Sequence, residues 1–208
     1  MTVDKRDMYR LPWSMNDNAI AWLEVSDICN LACEGCYRQR ISGHKTLEEV
    51  KEEVLFYKRW RNPDNISIAG GEPLIYPHII DLVAFIKEQK IKPVVLTNAM
   101  ALTPEILKEL KKAGLSGFTI HIDSHQGRPQ WRGKTEKEHN ELRQHCADMI
   151  AREKGLYVIF NATCILASVP SSTTTSGSAV ISTFDAFALA NKPETIWSTP
   201  AVHVIGPI

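Results

Sequence analysis

The sequence predicts an α/β fold in which a parallel sheet is covered by helices. Three observations carry this reading. Short apolar or β-branched runs recur between residues 19 and 162, amphipathic segments with helix-capping signals fill the intervals, and the runs are close to continuously apolar, as buried parallel strands are. A doubly wound sheet and a full or partial barrel both satisfy these facts. In either, the chemistry is expected at the carboxyl ends of the strands.

The elements follow in order. AIAWLEV (19–25) reads as the first strand. Thr46 and Glu49 form a capping box ahead of an apolar stripe through Leu47, Val50, Val54 and Tyr57, which starts the first helix. NISIAGG (65–71) is the second strand, HIIDLVAFIKEQ (78–89) the second helix and PVVLTN (93–98) the third strand. Thr103 caps a third helix with Pro104 at its first position, Ile106, Leu107 and Leu110 on its inner face, and Gly114 as its stop. GFTIHID (117–123) is the fourth strand, and Thr135 with Glu138 repeats the capping box before Leu142, Cys146 and Met149. LYVIFNA (156–162) closes the series as a fifth strand.

Beyond Ala167 the character changes: only Asp185, Lys192 and Glu194 are charged, and the stretch is rich in Ser and Thr, including SSTTTSGS (171–178). FDAFALAN (184–191) reads as a short fifth helix and TIWSTPAVHVI (195–205) as a sixth strand, without the capping signals found upstream. The expected organisation is an N-terminal arm (1–18), a core (19–167) and a weakly patterned C-terminal segment (168–208) that supplies the last helix and strand of the core.

The chain has 208 residues, 44% of them hydrophobic, with Lys+Arg 24 balancing Asp+Glu 24. That balance supplies no overall field for nucleic acid or an anionic membrane, so no nucleic-acid partner is expected. No apolar run approaches the roughly 18 residues that span a bilayer, and the polar opening MTVDKRDMYR lacks an apolar signal core. The expected compartment is the cytoplasm.

Five cysteines stand at 29, 33, 36, 146 and 164, an odd number with three crowded together, which makes a poor disulfide framework and points to metal in a reducing compartment. Cys29, Cys33 and Cys36 form a C-x3-C-x2-C loop just after the first strand. A closed structural zinc site normally uses four ligands, and the usual second C-x2-C pair is missing; reactive thiols are the other plain reading. Three thiolates on a four-iron cubane would leave one iron without a protein ligand, an open position suited to catalysis. Cys146 sits on the apolar face of its helix and reads as a core residue, and Cys164 lies just past the fifth strand.

With this loop the sequence resembles the radical S-adenosylmethionine (radical SAM) superfamily, whose cluster motif has the same spacing. The second strand runs into Gly70, Gly71, Glu72 and Pro73, similar to the family's GGEP, where the backbone and Glu72 are expected to bind the methionine amino group of SAM. Glycine lets a ligand approach the backbone closely. Thr97, Asn98 and Ala99 end the third strand, where the family has Thr-Asn-Gly. His121 and Asp123 end the fourth strand and Asn161 the fifth; the resemblance implies that Thr97, Asn98, Asp123 and Asn161 contact SAM or substrate. Gly35 stands where the family often has an aromatic residue near the adenine, and Tyr37 is the aromatic that would take that place.

The resemblance, covering about Trp22 to Thr163, further implies a partial (βα)6 TIM-like barrel with parallel strands. It implies a [4Fe-4S] cluster held by Cys29, Cys33 and Cys36, S-adenosyl-L-methionine as cofactor, and an external one-electron donor such as a flavodoxin or ferredoxin. SAM is then cleaved to methionine and a 5′-deoxyadenosyl radical that takes hydrogen from a substrate the sequence does not identify. The alternative is a non-catalytic or truncated iron-sulfur or SAM-binding module. His125, Gln126, Arg128, Trp131 and Arg132, in the loop after the fourth strand, are expected either to meet substrate or to form a polar connection. Arg38 and Arg40 read as a solvated basic stretch or a docking point for the electron donor.

Overall fold

The structure is a computed structural model, and it describes residues 18–33, 36, 43–123, 126–128, 135–161, 163–165, 180–182 and 186–188. Five parallel strands, β1 (Ile20–Glu24), β2 (Asn65–Ala69), β3 (Lys92–Thr97), β4 (Gly117–His121) and β5 (Tyr157–Asn161), pair in chain order. Between them run α1 (Leu47–Arg61), α2 (Ile79–Glu88), α3 (Pro104–Ala113) and α4 (Glu136–Ala151). Chain-order pairing through helical crossovers is the arrangement of an α/β barrel, here left open as a partial barrel.

The helices start where their caps are written. Thr46 and Thr135 each accept the backbone N–H three residues on while Glu49 and Glu138 reach back, so both capping boxes are complete. Thr103 caps α3 by accepting the Ile106 N–H at 3.3 Å, and Gly114 ends it in the left-handed region at φ 100°. α1 packs on β1, α2 on β3 and against its neighbours α1 and α3, and α4 on β5. Leu23, Ile66, Ile68, Val95, Phe118 and Ile120 form the centre of the core under those helices. Alternate residues on the edge strand β1, Ile20 and Trp22, stay open to solvent on the uncovered side.

The end of the barrel differs from the sequence expectation. FDAFALAN does not form a fifth helix; its central Ala186–Ala188 is a strand, β8, that pairs antiparallel with β5. The exposed edge of β5 offers unpaired backbone donors and acceptors, and an extended segment satisfies them where a lone helix turn would not. A separate two-stranded ladder joins β6 (Thr163–Ile165) to β7 (Val180–Ser182), so short strands also occur within the Ser/Thr-rich stretch. The expected strand at 195–205 lies outside the described residues, as does the arm up to residue 17.

Candidate functional site

The site forms where β1 to β4 end. After β1 the backbone turns at Ser26, whose Oγ accepts the Ile28 N–H at 2.9 Å. Asp27 closes the loop that follows: its N–H donates to the Gly43 carbonyl at 3.3 Å, and its Oδ1 accepts the Gly43 N–H at 2.8 Å. Ser26 also bridges to His44. The segment carrying the three cysteines is thus a loop whose two ends are tied together by the fold, independently of any ligand.

The GGEP turn holds the same loop from the other side. Gly71 N–H donates to the Ser26 carbonyl at 2.6 Å and Glu72 N–H to the Ile28 carbonyl at 2.9 Å. Gly70 adopts φ 120°, and a Cβ there would lie 2.3 Å from the Ser26 carbonyl oxygen. Its glycine is therefore demanded by the chain's own close approach and by a positive φ, where the sequence suggested only room for a ligand. Pro73 then opens a 3-10 turn, Pro73–Ile75, capped by Glu72.

Glu72 is fully buried. Its Oε1 accepts the Leu74 N–H at 2.9 Å and the Thr97 hydroxyl at 2.6 Å, and its Oε2 accepts the Asn98 N–H at 2.8 Å. Burial pushes the carboxyl above its ordinary pKa, and the three hydrogen bonds oppose that rise. The carboxylate therefore welds the end of β2 to the end of β3. Thr97 Oγ1 also accepts the Ala99 N–H at 2.9 Å, which places Ala99 at φ 59°. Alanine thus takes the left-handed conformation that glycine would occupy without strain.

Asn98 links this framework to the cysteines. Its Nδ2 donates to Asn30 Oδ1 at 2.7 Å and lies 3.8 Å from Cys29 Sγ, while its Oδ1 accepts the Met100 N–H at 2.8 Å. Cys29 and Cys33 are half-buried, Cys36 is exposed, and all three are free thiols. A turn joins the last two, Cys36 N–H donating to the Cys33 carbonyl at 3.4 Å. Burial, then the charges of Cys29, Cys36 and Asp123, push the Cys33 thiol up to about 11. Among the described residues no three His, Cys, Asp or Glu side chains converge tightly enough for a single metal ion. An all-sulfur donor set spread along one tied loop fits an iron-sulfur cluster, whose irons take their ligands at separate points.

Asp123 is buried, and His121 Nε2 lies 2.5 Å from its Oδ2. Asn161 stands beside His121 in the β4–β5 register, and its Oδ1 is buried with no hydrogen-bond partner among the described residues. An orphaned buried acceptor at a strand's carboxyl end fits a ligand donor such as a hydroxyl or amino group. The structure thus brings Cys29, Cys33, Glu72, Thr97, Asn98 and Asp123 into one framework, with Asn161 one strand away. Tyr37, Arg38, Arg40, His125, Trp131 and Arg132 lie outside the described residues.

Two side chains of the loop after β4 make polar connections to the strand ends. Gln126 and Arg128 are buried, turned inward onto the strand ends. Gln126 Nε2 donates to the His121 carbonyl at 2.6 Å, and Arg128 donates from Nε to Gln126 Oε1 at 2.8 Å. Arg128 Nη2 donates to the carbonyls of Asn98 and His121. A polar loop sequence gives no sign of this, because the accepting carbonyls of Asn98 and His121 come from the ends of two different strands.

Known proteins share both fold and sequence with this chain. The Streptococcus suis protein SuiB, solved bound to S-adenosylmethionine, superposes with a TM-score of 0.54 at 20% identity, over 74% of this chain and 36% of SuiB, which establishes the shared fold. An AdoMet-dependent heme synthase of Methanosarcina barkeri is 32% identical over 108 residues, which is 50% of this chain and 30% of that protein. A GTP 3′,8-cyclase of Alkaliphilus oremlandii is 32% identical over 109 residues, 49% of this chain and 34% of that protein. The matches span about a third of these relatives' own length. The model of the radical SAM superfamily matches residues 23–164, well over half of the chain, from within β1 to within β6. The chain carries the domain of this enzyme family, and it belongs to the radical SAM superfamily.

Proposed function

We propose that this chain is a radical SAM enzyme in which Cys29, Cys33 and Cys36 hold a [4Fe-4S] cluster and the ends of β2 to β5 hold SAM. The observation that carries the reading is the double tie of the cysteine loop to the GGEP turn, through Gly71 to Ser26 and Glu72 to Ile28. These ties hold the start of the loop, immediately before Cys29, against the turn, so less ordering remains to be done on binding. Free thiols suit a reducing cytoplasm, and among the described residues no helix is long and apolar enough to cross a membrane.

When bound, the reduced cluster supplies the electron that cleaves SAM to methionine and a 5′-deoxyadenosyl radical, which removes a hydrogen atom from the substrate. The chain's own residues do the rest. Cys29, Cys33 and Cys36 lose their protons on binding iron. The half-buried backbone of Gly70 and Gly71 and the orphaned Asn161 Oδ1 supply acceptors for SAM. Asp123 accepts from ligand hydroxyls at the end of β4, and Tyr37, which lies outside the described residues, is the aromatic assigned to the adenine by the resemblance. Glu72, with every oxygen engaged inside the protein, acts by holding Thr97 and Asn98 in place. The electron comes from a flavodoxin- or ferredoxin-class donor.

Anaerobic reconstitution with iron and sulfide tests the assignment. About four irons per chain are expected, with an electron paramagnetic resonance signal in the reduced protein that SAM alters. A preparation that binds a single zinc in preference to iron, or whose signal ignores SAM, would contradict it.

A further inference from the structure

Arg128 is the one lysine or arginine among the described residues that is buried, at 4% exposure. It lies against the cluster loop: a Cβ on its neighbour Gly127 would stand 2.8 Å from the Ala32 carbonyl, one residue before Cys33. Its fork binds the Asn98 carbonyl on β3, the His121 carbonyl on β4 and Gln126 between them. The surrounding buried charges are the carboxylates of Glu72 and Asp123. Arg128 interacts electrostatically with Cys146 on α4 first, then with Cys33, Asp123 and Glu72. A guanidinium keeps its proton even where burial opposes the charge, so this is a permanent cation in a low-dielectric, otherwise anionic neighbourhood.

Building on the cluster-binding reading above, we propose that Arg128 is a positioning residue that serves as the buried countercharge of the cysteine loop and makes the bound cluster easier to reduce. Three thiolates bring negative charge to a site that already buries Glu72 and Asp123, and accepting one electron from the external donor adds another. A fixed positive charge stabilises the reduced form more than the oxidised form, which raises the midpoint potential. The fork also joins the ends of β3 and β4, so the charge cannot drift away from the loop.

Three variants separate the charge from the clamp, each reconstituted anaerobically and titrated for midpoint potential, with iron content and thermal stability measured in parallel. Arg128→Gln removes the charge, Arg128→Lys keeps it while losing the fork, and Gln126→Leu breaks the same strand tie without changing charge. The expected result is a shift to more negative potential in Arg128→Gln alone, with melting temperature lowered in all three. Loss of iron from Arg128→Gln but not from Arg128→Lys also supports the countercharge. Equal potentials in parent and Arg128→Gln, an equal shift in Gln126→Leu, or loss of iron from both arginine variants overturns it. A parent chain that binds no cluster removes the underlying reading as well, which distinguishes the two failures.

Discussion

At the carboxyl ends of its parallel strands this chain buries Glu72, Asp123 and Arg128, whereas at the amino ends Lys58, Lys90 and Lys92 all stand in solvent. The covered ends are joined by side chains that cross from strand to strand; the open ends are joined by short caps such as Asn62 and Gly114. Buried polar groups are costly unless each is satisfied, so the fold tolerates them only where geometry is fixed on every side. The difference shows where the molecule keeps its rigidity, and it makes the two ends respond differently to the same substitution.

The largest effects belong to the carboxyl end. Glu72→Ala strands the Leu74 N–H, the Thr97 hydroxyl and the Asn98 N–H without an acceptor, and should cost about 3 kcal/mol in urea unfolding. Gly70→Ala drives a Cβ into the Ser26 carbonyl, which has no room to yield, and should cost at least as much, about 3 kcal/mol, by overpacking and a strained φ. At the amino end Gly114→Ala meets Lys87 side-chain atoms, Cγ at 2.6 Å, rather than backbone, so a shift of that side chain adds to a backbone cost of about 1–2 kcal/mol. Equal losses at Gly70 and Gly114 would break the comparison.

A smaller effect of opposite sign is expected at Ala99. Replacement by Gly relieves the positive φ and should stabilise the chain by roughly 0.5–1 kcal/mol after the entropy of glycine is counted. Cys146, buried in α4, adds a pH response, because burial pushes its thiol from 9.0 up to about 11. The folded state favours the neutral thiol, so this contribution is complete below pH 9 and is lost as pH rises through 11. Stability of the metal-free chain should therefore fall less steeply between pH 9 and 11 in Cys146→Ala, and iodoacetamide at pH 8 should label Cys36 long before Cys146.

What the sequence revealed and what it hid divide along the same line. Thr46 with Glu49, Thr103 with Pro104, and Thr135 with Glu138 are local signals, and the helices begin at them. The parallel strands sit within two residues of their apolar runs because burial on both faces leaves a compositional trace. The cysteine spacing and GGEP identified the family without any coordinates. Hidden were the contacts that depend on distant backbone: the approach of Ser26 to Gly70, and the inward turn of Gln126 and Arg128 to carbonyls on two strands. The same reason explains FDAFALAN, whose helical composition yields to the open edge of β5.

The most direct measurement is of 5′-deoxyadenosine. The reconstituted protein, reduced anaerobically and given SAM, should form it together with methionine, while Cys33→Ala should form none and retain the fold by circular dichroism. A parent that binds iron and SAM but yields no more 5′-deoxyadenosine than Cys33→Ala would contradict the assignment as a radical SAM enzyme.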